Sequence, residues 1–348
     1  MTTELTTQFA LADTATISAS IFRPLRRSAR QKLDIGIRFG DDELRWRGPD
    51  QLGATDQSVL LCLLALAGIH RAQLGAVPGT DHGVALRGAL MASGWCASEV
   101  AAVVAVRWSS LAREAGFKHG SGGAQAVLRS SLQRLSEVTL WIVSRGMTTQ
   151  TRLLTWLVGD ERTVLVALNF RLAKALFDGQ FTKIPLTERR QLSKDTGRIL
   201  HSWLCAAVRE GSVRTFAVDS LVERVYGSQG GGNTLRDRRT RIRFALAEIA
   251  ELPAWDVSLS RTSARVERLR ASGALKAGHA VAPTTDAVTP TLHGPKAPSQ
   301  AGSSGALASS KNSMSSQKGC GVRQRRPVGA ALEIQPHAPQ GVMGGEAP

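Results

Sequence analysis

The stretch GGGNTLRDRRTRIRFALAEIAEL, residues 230–252, combines a glycine run, a basic cluster and an apolar pattern. It places five arginines within eight residues and then becomes largely apolar. At about 100° per residue, four of its apolar side chains fall on one side of a helix. These four are Leu235, Ile242, Leu246 and Ile249. The stretch therefore predicts a helix with one buried side and one basic, exposed side.

The exposed side of this predicted helix has the chemistry of a DNA-binding surface. It carries Arg236, Asp237, Thr240, Arg241 and Phe244, with Arg243 on its flank. Asn233 is predicted as the N-cap, because its side-chain oxygen can accept from the free amides of the first turn. The arginines then lie in the first turns, where cations oppose the helix dipole unless phosphate is bound. A merely solvated face usually mixes charges at i and i+4, so DNA contact is the favoured interpretation.

Helix geometry also suggests different roles for these side chains. Arg236 and Arg241 are predicted to bind guanine, Asp237 to accept from cytosine N4, and Thr240 to contact a thymine methyl group. Arg238, Arg239 and Arg243 lie nearer the buried side and are predicted to clamp phosphates. The first group would carry sequence specificity, and the second would carry affinity for any sequence.

Composition supports a polyanionic partner. The chain has 348 residues, 44 basic against 28 acidic, and a formal net charge of +16. No apolar run approaches the roughly 18 residues of a membrane span, and the N-terminus lacks the pattern of a signal peptide. We therefore expect a cytoplasmic protein without membrane contact. The four cysteines are far apart and form no metal-binding motif, so neither a metal nor a cofactor is expected.

The sequence contains an internal repeat. Residues 109–143 and 219–257 each begin with a short predicted helix, pass through a Gly/Ser turn, continue into a longer helix and end in a β-rich stretch. Gly116 and Gly227 end the two short helices, where a left-handed C-cap favours glycine. Trp141 and Trp255 close the two copies. This order of elements predicts two winged helix-turn-helix modules.

Flanking segments complete both modules. Helices are predicted over 54–68 before the first copy and over 187–208 before the second, where Leu200, Leu204 and Val208 form a buried stripe. VTLWIV and TRLLTWLV around the turn SRGMTTQ predict the hairpin of the first module, whereas only WDVSLS is recognisable as a strand in the second. LDIGIRF and ELRWRG predict a further hairpin.

These patterns predict an α+β, mainly α fold with tandem winged helix-turn-helix domains. We divide the chain into a flexible basic arm (1–32), a first domain (33–168), a second domain with the main DNA-reading helix (169–270), and a tail (271–348). The tail is rich in Ala, Gly, Ser and Pro, so we expect it to be disordered. The arm contains FRPLRRSARQK, which would either follow DNA or act as a solvated linker.

The long helix of the first copy, in GGAQAVLRSSLQRLSEV, is less charged than that of the second. Its predicted core stripe is Ala124, Leu128, Leu132 and Leu135. Its predicted solvent side carries Gln125, Arg129, Ser130, Gln133 and Arg134, and Lys118 and His119 in the preceding turn are candidates for phosphate contact. We expect this helix to bind DNA more weakly, and a protein–protein surface is the alternative.

Several enzyme classes are disfavoured, and no catalytic residue is predicted. The sequence has no Gly-Lys pair for a Walker A loop. Its single tyrosine, Tyr226, and its seven scattered histidines do not suggest a nicking enzyme. We expect a binding protein rather than an enzyme.

Three blocks of the sequence resemble a known family. IFRPLRRSARQKLDIGIRFGDDELRWRGPDQLGATDQSVLLCLLALAG, the SLAREAG...SGGA...RL block and GNTLRDRRTRIRFALAEIAEL are similar to replication protein C of IncQ-type plasmids, over about residues 21–259. The resemblance implies a tandem winged-helix initiator that binds direct repeats (iterons) in double-stranded DNA at a plasmid origin. It also implies that the duplex is opened for the plasmid-encoded helicase and primase.

Two functions therefore remain open from the sequence: an iteron-binding initiator, and a transcriptional regulator that binds an operator without opening it. Two modules in one chain favour the initiator, because they can bind successive major grooves about 34 Å apart as a monomer. A regulator is expected to prefer a palindrome and to dimerise. We expect a monomer or a weak dimer, since no exposed apolar heptad predicts a coiled coil.

Overall fold

The computed structural model describes residues 6–25, 30–117, 123–178 and 181–270. Within these ranges the chain forms ten α-helices and thirteen β-strands. The strands make one two-stranded, one three-stranded and two four-stranded sheets, in which every paired strand is antiparallel. The fold therefore mixes helices with antiparallel sheets. The predicted tail, 271–348, lies outside the described residues.

The segment 9–22 corrects part of the prediction of a flexible arm over residues 1–32, of which residues 1–5 and 26–29 lie outside the described residues. It forms strand β1 (Phe9–Ala12) and helix α1 (Thr14–Ser18), and Ile21 and Phe22 are buried. Apolar residues in FALADTATISASIF supply this packing. Strands β2 (Leu33–Phe39) and β3 (Asp42–Gly48) follow as the predicted hairpin, in register from Phe39–Asp42 to Leu33–Gly48.

From here on, each copy of the repeat is taken to include the helix that precedes it. The first copy then begins with the predicted helix, α2 (Ala54–His70). It continues through β4 (Gln73–Leu74), α3 (Asp81–Ala89), a 3-10 turn (Gly94–Ser98) and β5 (Ala101–Arg107). The short helix α4 (Trp108–Glu114) and the long helix α5 (Ala124–Glu137) come next. Gly116 follows α4 with a φ of 84°, so the left-handed turn predicted there is confirmed.

Two hairpins follow α5, and their pairing corrects the sequence prediction. The first, β6 (Thr139–Ser144) and β7 (Met147–Arg152), joins β2 and β3 in a sheet of order β2-β3-β6-β7. The second, β8 (Leu154–Val158) and β9 (Thr163–Leu168), joins β4 and β5 in the order β4-β5-β9-β8. LTWLV was predicted as the partner strand of VTLWIV. It lies in the other sheet instead, because MTTQTR pairs with β6.

Helix α6 (Phe170–Phe177), strand β10 (Thr182–Pro185) and helix α7 (Leu186–Gln191) connect the two copies. Strand β10 pairs with β1, so the N-terminal segment is held at this connection. The single helix predicted over 187–208 is divided: α7 ends at Gln191 and α8 (Asp195–Ala207) begins after Lys194. The predicted stripe of Leu200, Leu204 and Val208 is fully buried.

After α8, the second copy continues through β11 (Ser212–Ala217), the short helix α9 (Val218–Tyr226) and the long helix α10 (Gly232–Ala250). It ends with the hairpin β12 (Trp255–Leu259) and β13 (Ser263–Arg268). Gly227 ends α9 with a φ of 75°, as predicted. Strand β13 lies between its neighbours, so the sheet has the order β11-β13-β12.

The two copies share one order of elements. Helices α2, α4 and α5 and strands β5, β8 and β9 correspond to α8, α9 and α10 and to β11, β12 and β13. The strand order β5-β9-β8 matches β11-β13-β12. Hairpin β6–β7 has no counterpart in the second copy, so Trp141 in β6 is not equivalent to Trp255 in β12. That part of the sequence prediction is wrong.

A single hydrophobic core includes side chains of both copies, among them Leu60, Leu132, Leu204 and Leu246. Trp46 and Phe22 are among its largest buried members. In the described ranges, no helix has the length and apolar character needed to cross a bilayer.

Candidate nucleic-acid interface

Helix α10 begins earlier than the sequence predicted. Gly231 is the N-cap and Gly232 the first helical residue, so Asn233 lies in the first turn. Gly230 and Gly232 have φ values of 73° and 51°, a left-handed conformation that glycine adopts without strain. The three glycines therefore set the start of the helix, and the prediction of Asn233 as N-cap is wrong. Asn233 is exposed beside the basic residues.

The outward side of α10 is the one that its sequence pattern predicts. Ile242, Leu246 and Ile249 are buried, and Leu235 packs against the core. The opposite side is exposed and carries Arg236, Asp237, Thr240, Arg241 and Phe244. We call these five residues the basic face of α10.

Three arginines beside the basic face are held by acceptors within the protein. Arg239 donates two hydrogen bonds of 2.6 Å to the carboxylate of Asp219 in α9. Arg238 donates to the carbonyl oxygen of Ser228 at 2.9 Å and stacks over the ring of Tyr226. These contacts fasten α10 to α9 and to the turn between them.

Arg243 fastens α10 to the hairpin that follows. Its guanidinium group donates to the carbonyl oxygens of Ser260 and Arg261 in the β12–β13 loop. In the contact between α10 and α9, the hydrogen bond from Arg239 lowers the pKa of Asp219, so this carboxylate stays ionised beside the basic helix. Helix α10, α9 and the hairpin loop are thus joined by arginine side chains.

Arg236 and Arg241 differ from these three arginines in their lack of partners. Among the described residues, neither guanidinium group has a hydrogen-bond acceptor or an ion-pair partner, and both side chains are exposed. Thr240 donates its hydroxyl to the carbonyl oxygen of Arg236 at 3.1 Å. The basic face therefore offers two unpaired guanidinium groups separated by more than one helical turn.

The equivalent helix of the first copy, α5, has a weaker outward side. Gln125, Arg129 and Gln133 are exposed as predicted, and Gln133 donates to Glu137 at 2.6 Å. Arg129 lies over the ring of Trp108, 5.3 Å from its centroid. Leu128, Leu132 and Leu135 are buried, but Ala124 is half-exposed. Lys118 and His119 lie outside the described residues.

Arg134 corrects the prediction for this helix, because it points inward rather than to solvent. Its Nη2 donates to Oδ1 of Asp56 at 2.7 Å, and only 16% of its side chain is exposed. Asp56, in the first turn of α2, is fully buried and also accepts from Arg30 at 2.9 Å. Burial would raise the pKa of Asp56, but hydrogen bonds from Arg134 and the Gly53 amide hold it below its usual value. Arg134 thus neutralises a buried carboxylate.

The hairpin loops beside these helices also differ in charge. The β8–β9 loop of the first copy contains Asp160 and Glu161 next to Arg162, whereas Arg261 is the charged residue of the β12–β13 loop. Hydrogen bonds from the Arg162 amide and the Thr163 hydroxyl lower the pKa of Asp160, which keeps its negative charge. The hairpin loop of the first copy is therefore net negative, and that of the second copy is net positive.

The described residues contain no group of three or more histidine, cysteine or acidic side chains that could hold a metal. Cys62, Cys96 and Cys205 are buried. Burial raises the pKa of Cys62 and Cys96 to about 11 and that of Cys205 to about 12. These thiols are protonated at neutral pH and are poor nucleophiles.

A repeated helix–strand–helix–helix–hairpin unit that presents an exposed basic helix is typical of nucleic-acid-binding proteins. The sequence profile of the replication protein C (RepC) family matches residues 7–268, so the chain belongs to that family. The resemblance found in the sequence is confirmed. Membership in this family supports a role in replication.

Two solved structures of domains 2 and 3 of RctB are similar to this chain. One, a selenomethionine derivative, has 11% identity and a TM-score of 0.47, and covers 74% of this chain and 98% of its own. The other has 13% identity and a TM-score of 0.45, and covers 74% of this chain and 96% of its own. Comparison with curated proteins gave no match.

Proposed function

We propose that this protein initiates plasmid replication by binding iteron repeats at the origin through two winged helix-turn-helix modules. Bound protein would then promote opening of the duplex for the plasmid-encoded helicase and primase. Membership in the RepC family supports the biological role. The observation that carries the DNA-binding part is the basic face of α10, with two exposed guanidinium groups that have no partner in the described residues.

The repeated order of elements supports the proposal of two modules, within residues 33–168 and 169–270. In each copy a long helix follows a short one and is flanked by a three-strand arrangement of the same order. In a helix-turn-helix complex the second helix enters the major groove and its first turns reach the base edges. Helices α5 and α10 occupy that position.

Within the second module, Arg236 and Arg241 are the proposed base-reading residues. A free guanidinium group can donate two parallel hydrogen bonds to O6 and N7 of guanine. Asp237 would accept from cytosine N4. Thr240, whose hydroxyl is already used within the helix, would present its methyl group to thymine. Asn233, exposed at the start of α10, would contact DNA beside them.

Arg238, Arg239 and Arg243 are proposed to contact phosphates while they hold α10 in position. Each guanidinium group has five N–H donors, and the internal hydrogen bonds use only some of them. An arginine already oriented by an acceptor loses little side-chain entropy when a phosphate binds. These three residues would therefore supply affinity without sequence preference.

The first module is proposed to contribute less affinity. Gln125, Arg129 and Gln133 of α5 can donate hydrogen bonds to DNA, but they carry one positive charge between them. Arg134 would act mainly on the fold, because Asp56 engages its guanidinium group. Linking a weak module to a strong one still raises overall affinity, since the second contact becomes intramolecular. We therefore propose binding as a monomer or a weak dimer.

DNase protection of an origin from the same replicon tests this function, combined with permanganate probing of adjacent AT-rich DNA. The proposal predicts protection of tandem direct repeats with permanganate-reactive thymines beside them. Repeating the experiment at two salt concentrations gives the number of phosphate contacts from the slope. Protection of a single palindrome without reactive thymines would contradict the initiator and indicate a transcriptional regulator.

A further inference from the structure

A groove of about 320 Å³ lies between the N-terminal segment and the first turns of α10. Four arginines line it: Arg23 and Arg30 from the segment, and Arg238 and Arg241 from the helix. Asp237 is the one carboxylate among its described lining residues. The groove is therefore strongly electropositive and opens beside the basic face of α10.

The backbone of Arg23 is fixed by the first half of the chain. Its amide donates to the carbonyl oxygen of Leu52 at 2.9 Å, and the preceding Phe22 is buried and bridges to Leu52. The Arg23 guanidinium group, by contrast, packs directly against Gly227 at the end of α9. A Cβ at position 227 would overlap this guanidinium group, so Arg23 would have to move if residue 227 carried a side chain.

Arg23 has an electrostatic environment that a structural arginine would not be expected to have. Its Nε atom is buried and has no hydrogen-bond partner within the described ranges. Two unfavourable effects lower the pKa of Arg23: first its burial, and then the positive charge of Arg238. Two like charges and an unsatisfied donor thus face one groove.

The other groove arginines do not relieve this charge. Arg30 already donates to Asp56 at 2.9 Å and to the carbonyl oxygen of Gln51 at 2.8 Å. Arg238 is bound to neutral acceptors of Ser228 and stacks on Tyr226, so it keeps its full positive charge. Arg241 has no acidic partner among the described residues.

We propose that this groove binds one backbone phosphate of the DNA that α10 contacts, held by Arg23 and Arg238, while Arg241, which also lines the groove, reads a base. A phosphate supplies the acceptors that Arg23 Nε lacks and separates the two like charges. Because Asp237 and Arg241 belong both to the groove and to the basic face, a DNA strand contacted by α10 would pass close to the groove. The proposal rests on the DNA-binding function above and extends it to a residue outside both helix-turn-helix segments.

The groove also links the two copies of the repeat. Arg23 is anchored by its backbone near the start of α2, while Arg238 and Arg241 belong to α10. A phosphate held by Arg23 and Arg238 would therefore bridge the N-terminal half and the second copy.

The test is the salt dependence of affinity for the protected duplex, measured with the full chain. Arg23→Gln is expected to lower the slope of log K against log salt by about 0.9, the value for one phosphate contact. It should weaken all base-pair variants alike, by about tenfold or more. Arg87→Gln is the matched control, because Arg87 lies in α3 and donates to Ala97. This control should keep the wild-type slope.

A second arm separates DNA phosphate from free phosphate. Inorganic phosphate at millimolar concentration is added to the protein without DNA, and the Tm is measured. We expect no saturable shift that depends on Arg23. A saturable shift lost in Arg23→Gln, with an unchanged DNA slope, would assign the groove to a free phosphate and overturn the proposal.

The outcomes distinguish this inference from the proposed function. If Arg23→Gln keeps the wild-type slope while Arg241→Ala still weakens DNA binding, only the groove proposal fails. If neither variant changes DNA binding, the DNA-binding role of α10 fails with it. A folded Arg23→Gln variant should not have a lower Tm, because the substitution removes charge repulsion.

Should Arg23→Gln fail to fold, Arg23→Lys provides the test, because it keeps the charge and loses the planar fork. Each phosphate of the duplex is then neutralised in turn by methylphosphonate substitution. At one position, the methylphosphonate must weaken DNA binding by the wild type and have a smaller effect on binding by Arg23→Lys. If every position affects both proteins equally, the proposal is overturned.

Discussion

The arginines of helix α10 differ according to their partners. Arg239 is paired with Asp219, and Arg243 is bound to loop carbonyl oxygens, whereas Arg236 and Arg241 have neither kind of partner in the described ranges. An exposed guanidinium group without an acceptor contributes little to the free energy of folding. The presence of Arg236 and Arg241 on the exposed side of α10 is therefore better explained by a ligand than by stability.

Asp56 is the residue whose loss should most affect stability. The buried carboxylate joins Arg134 and Arg30 and caps the start of α2 through the Gly53 amide at 2.8 Å. Asp56→Asn should lower the free energy of unfolding by about 3 kcal/mol, because it leaves partly buried arginines unpaired. Urea unfolding measures this change.

The second copy provides the matched control. Asp195 lies in the first turn of α8, the counterpart of α2, but it is exposed. Its ion pair with Arg198 is long, with 3.7 Å between Oδ1 and Nη1. Asp195→Asn should change the free energy of unfolding by no more than about 0.5 kcal/mol. Equal effects of the two substitutions would show that the buried ion-pair cluster is not important for stability.

The buried His201 should make the free energy of unfolding depend on pH. Burial lowers the pKa of His201 below 6.5, although its hydrogen bond to Glu188, 3.0 Å long, acts in the opposite direction. Below about pH 6.5 the unfolded chain binds a proton that the folded chain does not, so the free energy of unfolding falls. Between about pH 7.5 and about pH 5.5, His201→Gln should lose less stability than the wild type.

Denaturant unfolding at the two pH values tests this, with His70→Gln as the control. His70 is exposed at the end of α2, so its substitution should leave the wild-type pH dependence. If His201→Gln and the wild type lose the same stability as the pH falls, the buried neutral histidine is not responsible.

At the scale of elements, glycine positions set where the short helices end. Gly116 and Gly227 both have positive φ, but a Cβ at 116 would meet no atom within 4 Å, while one at 227 would overlap the guanidinium group of Arg23. Gly116→Ala should therefore cost about 1 to 2 kcal/mol from backbone strain alone. Gly227→Ala should cost more, since Arg23 must move as well.

Thermal or urea unfolding of both variants checks this difference. Gly123→Ala is the reference, because its φ of −81° is normal for alanine and no atom lies within 4 Å of the added Cβ. It should be neutral or stabilising by up to about 1 kcal/mol. Similar costs for the 116 and 227 variants would mean that Arg23 does not pack against Gly227 as described.

The elements that the sequence predicted well are those set by local patterns. Helical periodicity predicts α2 and α10, and the glycines at 116 and 227 predict where α4 and α9 end. The buried stripe of α8 is predicted for the same reason. Each depends on residues within one or two turns of the chain.

Three of the predictions that were wrong depend on contacts between distant residues. Hairpin 139–152 pairs with β3, about a hundred positions earlier, so local alternation does not reveal its sheet. Arg134 points inward because a buried Asp56 on another helix requires a cation. The segment 9–22 is held by β10, far along the chain, which local composition does not show.

At the scale of the whole molecule, one core joins both copies. If both modules bind one duplex, a shared core fixes the spacing between their binding sites. Insertion of about 5 base pairs, half a helical turn, between the two half-sites should then reduce affinity to that of the second module alone. An insertion of about 10 base pairs restores the rotational phase but lengthens the span.

Competition titrations with the original and the two lengthened duplexes measure this effect. The phase-restored duplex should not recover the lost affinity, because modules joined by one core cannot move apart by a further helical turn of about 34 Å. Equal affinity for all three duplexes would show that the first module does not contact DNA. Its long helix α5 would then fit the alternative of a protein–protein surface.

The basic face of α10 is proposed to read DNA sequence. This sequence reading is tested most directly by the affinities of Arg236→Ala and Arg241→Ala for every single base-pair variant of the protected site, with Arg239→Ala as the matched control. Each of the first two should lose about 1 to 3 kcal/mol and relax preference at one base pair, while the control weakens all duplexes alike. If Arg236→Ala and Arg241→Ala also weaken all duplexes alike, or weaken none, the account is contradicted.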